Sequence, residues 1–379
     1  IKSMKFPSPK NIFVLLLLIF SAAKNGLTQL KINEILAVNT TTGADPDFGE
    51  FSDFVELHNI AGIPVNIGGF TITDNPQQTD KWALPSMVLA PDQYLIIWTD
   101  GLDKRPGETA FVPFKNEMAT MTSLHANFSL SGDGEYIGIF NDQGNLVDEI
   151  HFGVQTSDVS FGISATNASQ WLYFGEVSLG AINSIYGSAL MESPGEPAFS
   201  ITEGFYSDPQ TLLLSTSEPD AVIRFTFDGT TPNASSPVYS SGIPINISLT
   251  IKARIYVEGK MPGEVVTKSY FINENNELPV LSISSSASNL YGFDFGILQN
   301  AIKDREVPAT IEYFEPQTGE RAFLAGVGIR VFGTSIYSLP QRPLSVRFRE
   351  KYGTDILRYP LFPDKPIPRY SSFLLRNGG

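Results

Sequence analysis

The sequence predicts a mainly β protein, and three observations carry that prediction. Apolar and polar residues alternate with a period of two over many short runs, the pattern of strands with one buried face. Gly, Pro, Asn and Asp punctuate the runs, with 32 Gly and 26 Pro in 379 residues, which supplies the turns that short strands need. Helical periodicity is confined to one segment, FDFGILQNAIKD at 293–304.

The elements follow in chain order. Lys5 and Lys10 precede an unbroken apolar run at 12–20, itself followed by Ser21, Ala22 and Ala23. A basic start, a short apolar core and small residues make region 1–26 a secretory signal peptide, cleaved a few residues beyond Ala23. The run is shorter than the about 20 residues of a bilayer span, so no stable membrane span is expected after cleavage; a retained anchor is the alternative. Met4 is the more plausible start of translation than Ile1. YLIIWTDG at 94–101 is apolar on both faces and is expected in a sandwich interior. EYIGIFNDQGNLVDEIHFG reads as a hairpin turning at 142–145, where Gly144 can take a positive φ.

A Gly/Ser/Pro-rich stretch at 185–196 lacks periodicity and is expected to be a linker; NENNELP at 273–279 is a second polar break. Three globular segments result, 28–184, 197–272 and 278–379. In the middle one, Ile223, Phe225 and Phe227 are expected inward before an Asp228-Gly229 turn. Leu249, Ile251, Ala253, Ile255 and Val257 share one face of the next strand, with Thr250, Lys252, Arg254 and Tyr256 on the wet one. The chain stops just after the apolar run at 373–375, where a domain is expected to continue.

Composition narrows the chemistry. With 26 Lys+Arg against 40 Asp+Glu the formal net charge is −14, which argues against a nucleic-acid partner. The chain has no cysteine, so disulfides, iron–sulfur clusters and thiolate zinc sites are excluded. His58, His125 and His151 show no zinc-type pairing and are expected on exposed or rim positions. No Walker-type loop or Gly-x-Ser-x-Gly elbow occurs, and the glycines of GVGIRVFG lack dinucleotide-fingerprint spacing. Within the acidic run 45–56, Asp45, Asp47 and Asp53 are candidate calcium ligands, although the spacing is not that of an EF-hand and a solvated loop is the competing reading. Arg330, Arg342, Arg347 and Arg349 cluster late in an otherwise acidic chain; alternation sets Arg347 and Arg349 opposite Leu344, Val346 and Phe348. A solvated basic face and a phosphate-contacting one are both open on these residues alone.

Three family resemblances sharpen this. Ile32-Asn33-Glu34-Ile35, the run DFVELHN at 53–59, Gly69-Phe70 and Trp82 to Pro85 resemble the bacterial lamin-tail domain, an immunoglobulin-like β-sandwich; Phe54 stands where that family usually has Trp. VIRFTFDGTTPNASSPVYSSGIPINISLTIKARIYVEG resembles the chitobiase/β-hexosaminidase C-terminal module, a small immunoglobulin-like accessory domain that hydrolyses nothing. LPVLSISSSASNLYGFDFGIL, VPATIEYFEPQTGE, GVGIRVFGTSIYSLPQRPLSVRFREKYG, YPLFPDKP and FLLRNGG resemble, in order, the amino-terminal part of the CotH-type kinase family. Arg342 stands where that family commonly has Lys, and Pro343 is a further departure.

The resemblances imply two immunoglobulin-like β-sandwiches followed by a partial α+β kinase-like domain. They imply ATP and magnesium as cofactors, with Arg342, Arg347 and Arg349 as candidate contacts to nucleotide phosphates. The metal-holding and catalytic acids of the family are expected beyond Gly379, and a secreted or surface protein is the expected substrate. A non-enzymatic adhesion or display protein is the alternative. A glycan-binding accessory is a third reading, for which the outward faces offer few aromatic platforms beyond Tyr256.

Overall fold

The computed structural model describes residues 30–112, 117–293, 295–300, 305–333, 341–362, 364–365 and 367–376. The expected signal region, 1–26, lies outside them. Among the described residues no helix is long and apolar enough to cross a membrane.

The first unit is built on two larger sheets packed on a shared core, with two further two-stranded sheets, Val65–Asn66 with Val88–Leu89 and Thr109–Val112 with Glu117–Thr120. Seven strands run in the order Leu124–His125, Tyr94–Trp98, Phe54–Asn59, Leu30–Leu36, Ser160–Ile163, Trp171–Phe174, Gly187–Ser188, and four in the order Leu146–His151, Tyr136–Phe140, Thr71–Thr73, Trp82–Ala83. Ile32, Leu57, Ile97, Ile72, Trp82, Ile137 and Ile139 fill the space between them. The double-faced apolarity of 94–98 has a direct cause: Ile97 enters this core, while Ile96 and Trp98 pack with Phe54 and Leu36 on the opposite face of the sheet. The 142–145 hairpin forms as its sequence predicts. Asn141 Oδ1 accepts from the N–H groups of Gln143 and Asn145, and Gly144 takes φ +76°.

The second unit contains a four-stranded sheet ordered Gly204–Tyr206, Val266–Ile272, Leu249–Tyr256, Val222–Thr226, backed by two short strand pairs. Ile251, Ala253, Ile255 and Ile223 point into its core with Leu212, Ile245 and Tyr270. The other face of Leu249–Tyr256 departs from expectation, because Lys252 and Tyr256 are buried too. Neighbouring units cover that face: Tyr256 Oη donates to Glu176 of the first unit, and Lys252 Nζ approaches Thr310 Oγ1 of the third at 3.4 Å. Phe227, expected inward, is half exposed, since its strand ends at Thr226.

The third unit is a five-stranded antiparallel meander: Val280–Ser284, Val307–Phe314, Arg321–Val331, Leu344–Arg347, Ser372–Leu375. Val307, Ile311, Val327, Ile329, Val346 and Phe348 form its core. Of the expected helix at 293–304, residue 294 and residues 301–304 lie outside the described set. A short helix occupies Ala287–Tyr291, with Ser286 Oγ accepting from Asn289 N at its start and Gly292 at its end; the described residues 295–300 form turns. Glycines at 292 and 296 weaken the helical pattern enough for the chain to turn instead.

The stretch 185–196 is less independent than a linker. Gly187–Ser188 pairs with Tyr173–Phe174 as the last strand of the seven-stranded sheet, and Glu192 O accepts from Met261 N in the second unit at 2.7 Å.

Candidate functional site

The acidic run folds back on a histidine from another part of the first unit. Leu124–His125 lies parallel to Tyr94–Trp98, which brings His125 opposite Trp98 and close to Asp100. His125 Nδ1 is 2.8 Å from Asp100 Oδ2, and its Nε2 is 3.2 Å from Asp47 Oδ2 and 4.0 Å from Asp45 Oδ1. The Phe48 ring meets the imidazole edge-on at 5.3 Å. The His125, Asp45 and Asp47 side chains are all but inaccessible to water, while that of Asp100 is 15% exposed.

Backbone geometry holds the carboxylates there. Asp45 N donates to Glu50 O and Gly49 N to Asp45 O, a tight loop in which Gly49 takes φ +66°. Asp47 accepts from Thr122 N, Thr122 Oγ1 and Ser123 N, at 2.6 to 2.9 Å. Burial pushes Asp47 up, but those bonds and His125 outweigh it and leave the carboxyl below its ordinary value. Burial pushes Asp45 up to about 6 against the pull of the Asp47 N–H and His125. Burial works to lower His125, yet Asp100, Asp45 and Asp47 together raise it above the ordinary imidazole value.

Of the three candidate calcium ligands, then, the structure brings Asp45 and Asp47 together and adds Asp100 and His125. Asp53 sits elsewhere, accepting from Asn39 N at 2.8 Å, its carboxyl pushed by burial up to about 6. The expectation of an exposed or rim His125 is corrected: the residue is fully buried. Nothing in its local sequence pairs it with acids 25 to 80 positions away; the parallel alignment with Tyr94–Trp98 does so.

The basic cluster arranges differently. Arg349 grips Glu306 with Nε at 2.7 Å and Nη2 at 3.0 Å, and Arg347 Nη1 reaches the same carboxylate at 3.5 Å. Tyr352 Oη donates to Glu306 as well, at 3.2 Å. Arg342 is half-buried and makes no hydrogen bond or ion pair with another described residue. A phosphate contact by Arg347 or Arg349 would have to displace Glu306; Arg342 has no such competitor among the described residues.

A polar cavity of about 380 Å³ lies where the second and third units meet, lined by Lys252, Ser284, Thr310, Lys351 and Tyr352 among others. Burial lowers the Lys252 ammonium to about 8, with Glu312 and Asp228 opposing the shift. Its Nζ donates to Gly229 O at 3.0 Å. Sequence alternation placed this lysine on a wet face because it cannot show which neighbour covers that face.

Comparisons with known proteins bear on the modules. Residues 23–153 match the Lamin Tail Domain family model, and residues 201–267 match that of the Chitobiase/beta-hexosaminidase C-terminal domain. A stretch of 53 residues is 45% identical to an endoglucanase of Clostridium saccharobutylicum; it covers 14% of this chain and 12% of the endoglucanase. The crystal structure of murine CEACAM1b aligns over 64% of this chain and 99% of its own at 10% identity, with a TM-score of 0.15. The chain thus carries a lamin-tail module followed by a chitobiase/β-hexosaminidase C-terminal-type module, within a mainly β architecture.

Proposed function

We propose that this chain is part of an exported, surface-associated protein whose two β modules present a CotH-type kinase domain that transfers the ATP γ-phosphoryl group to secreted proteins. One observation supports this above others. The family-like motifs of the third segment fall in order on successive strands of one sheet: LPVLSIS on the first, VPATIEYF on the second, GVGIRV on the third, LSVR on the fourth and FLL on the fifth. Such a sheet is a rigid platform from which arginines can meet phosphates, and phosphoryl transfer depends chiefly on positioning and charge neutralisation.

The fit of Mg·ATP to the residues present is incomplete. Among the described residues, no group of three acids or histidines in the third unit is close enough to share a metal ion, and the single Glu306 carboxylate already pairs with both Arg347 and Arg349. The same ion pairs favour a second reading, a non-enzymatic adhesion or display protein whose kinase-like sheet is only structural.

Radiolabelled ATP assays on the full gene product separate the two. Phosphorylation in the wild type and a loss of about 1–3 kcal/mol in transition-state stabilisation for Arg342→Ala are expected. Equal activity in both removes Arg342 from the site, and none in either sinks the kinase reading. The mass of the exported protein checks the export part: a terminus between Ala22 and Gln29 is expected, and an intact Met4 terminus counts against it.

A further inference from the structure

The cluster of Asp45, Asp47, Asp100 and His125 belongs to the first unit and plays no part in the phosphoryl-transfer reading. Its charge does not close. Even a protonated His125 leaves two of the three carboxylates without a compensating cation, in a place that water barely reaches. Two of the acids have an answer within the protein. Asp47 is saturated by the Thr122 and Ser123 donors, and Asp100 accepts from His125. Asp45 does not: its side chain is 0% exposed, Oδ1 takes the Asp47 N–H, and Oδ2 has no hydrogen-bond partner among the described residues. An open carboxylate oxygen, buried beside an imidazole and a second carboxylate, is a vacant ligand.

We propose that these residues bind one divalent transition-metal ion of the zinc class, with Asp45, Asp100 and His125 as ligands. One ligand atom from each lies within 4.8 Å of the others, a spacing that closes onto a shared ion. Asp47 is then the positioning residue. It lies 3.2 Å from His125 Nε2 and is itself locked by Thr122 and Ser123, so it fixes the imidazole beside the other two carboxylates. The donor set decides the class of ion. Calcium takes about 6–8 oxygen ligands in roomy, flexible loops, whereas imidazole with carboxylates in a small dry site suits zinc. Burial makes the ion structural: it would tie the 45–50 loop to Asp100 and to the edge strand Leu124–His125.

The test is metal-stripped protein titrated separately with zinc, manganese and calcium chloride, followed by calorimetry and by tryptophan-detected melting. Trp82, Trp98 and Trp171, all three tryptophans of the chain, lie in this unit and report on it. About one zinc per chain and a higher melting temperature with zinc are expected. Asp45→Asn keeps the Oδ1 acceptor for the Asp47 N–H but loses the open anionic oxygen; it should lower zinc affinity by about tenfold or more while the metal-free variant melts no lower than metal-free wild type. That last measurement separates a ligand from a folding defect. The proposal fails if stripped protein takes up no zinc, if Asp45→Asn binds zinc as tightly as wild type, or if calcium is preferred over zinc.

Discussion

Glu56 illustrates how one residue is pulled in two directions. It stands across the strand pair from Glu34, both fully buried, and accepts from Asn33 Nδ2 and Gly180 N. Burial pushes its carboxyl up to about 7; the Gly180 N–H pulls it back, the neighbouring Glu34 adds to the rise, and Asn33 opposes it. Burial raises Glu34 as well, against hydrogen bonds from Ser160 and Ser178. A folded-state value above the ordinary 4.5 means that the folded protein holds the proton more tightly than the unfolded chain. The stability contributed is complete below that ordinary value, falls as pH rises toward about 7, and is lost above it. Denaturation followed by tryptophan fluorescence should therefore show the first unit weakening through this window. Glu56→Gln should flatten the slope by up to about 1.4 kcal/mol per pH unit. Its amide meets an N–H donor, so absolute stability is offset and the slope is the readout. An unchanged slope would remove Glu56 as a titrating group.

Among the elements, the turn after Val222–Thr226 shows local chemistry and packing agreeing. Asp228 Oδ1 accepts from Thr230 N at 3.0 Å and from Thr230 Oγ1, and Thr226 Oγ1 donates to Thr230 O at 2.6 Å. Gly229 holds φ +78°, and a Cβ there would lie 2.3 Å from the Ser285 carbonyl oxygen. Glycine is required twice over, by conformation and by a backbone of the third unit passing close by. Gly229→Ala should cost about 1–2 kcal/mol from the backbone conformation alone, and more from the clash. The loss should appear as a lower melting temperature and faster proteolysis of 280–314. A variant as stable as wild type would show that Ser285 yields freely.

For the whole molecule, the contact between second and third units is built from buried polar groups and aromatic rings. Glu312 is 1% exposed and accepts from Ser269 and from Arg321 Nη1 at 2.8 Å, while Arg321 Nη2 also reaches Glu203 at 2.7 Å. Phe205 stacks on Phe271 and Phe314 meets both edge-on, with ring centroids 4.6 to 6.1 Å apart. Removing one partner of such a pair leaves a buried charge uncompensated. Arg321→Ala should cost about 3–5 kcal/mol and split one shared calorimetric transition into two, with faster hydrogen exchange in Val266–Ile272 and Val307–Phe314. One unsplit transition at the wild-type temperature would mean that the phenylalanine contacts alone couple the units.

Local rules were enough wherever the deciding neighbours are close in sequence. Period-two alternation by itself determined that Ile251, Ala253 and Ile255 face a core, and Asn141 with Gly144 determined the hairpin, because strand geometry and turn conformation act over a few residues. The same alternation defines a second face without saying what covers it. The burial of Lys252 and Tyr256, and the capture of Arg347 and Arg349 by Glu306, were decided only when separate units or strands packed together. His125 is the sharpest case. Its partners come from two loops far from it along the chain: parallel strand pairing brings His125 close to Asp100, and the Thr122 and Ser123 donors hold the 45–50 loop with Asp45 and Asp47 against it. A charge constellation of that kind is a property of the tertiary fold, since Coulomb and hydrogen-bond terms depend on distance in space and carry no periodicity along the sequence.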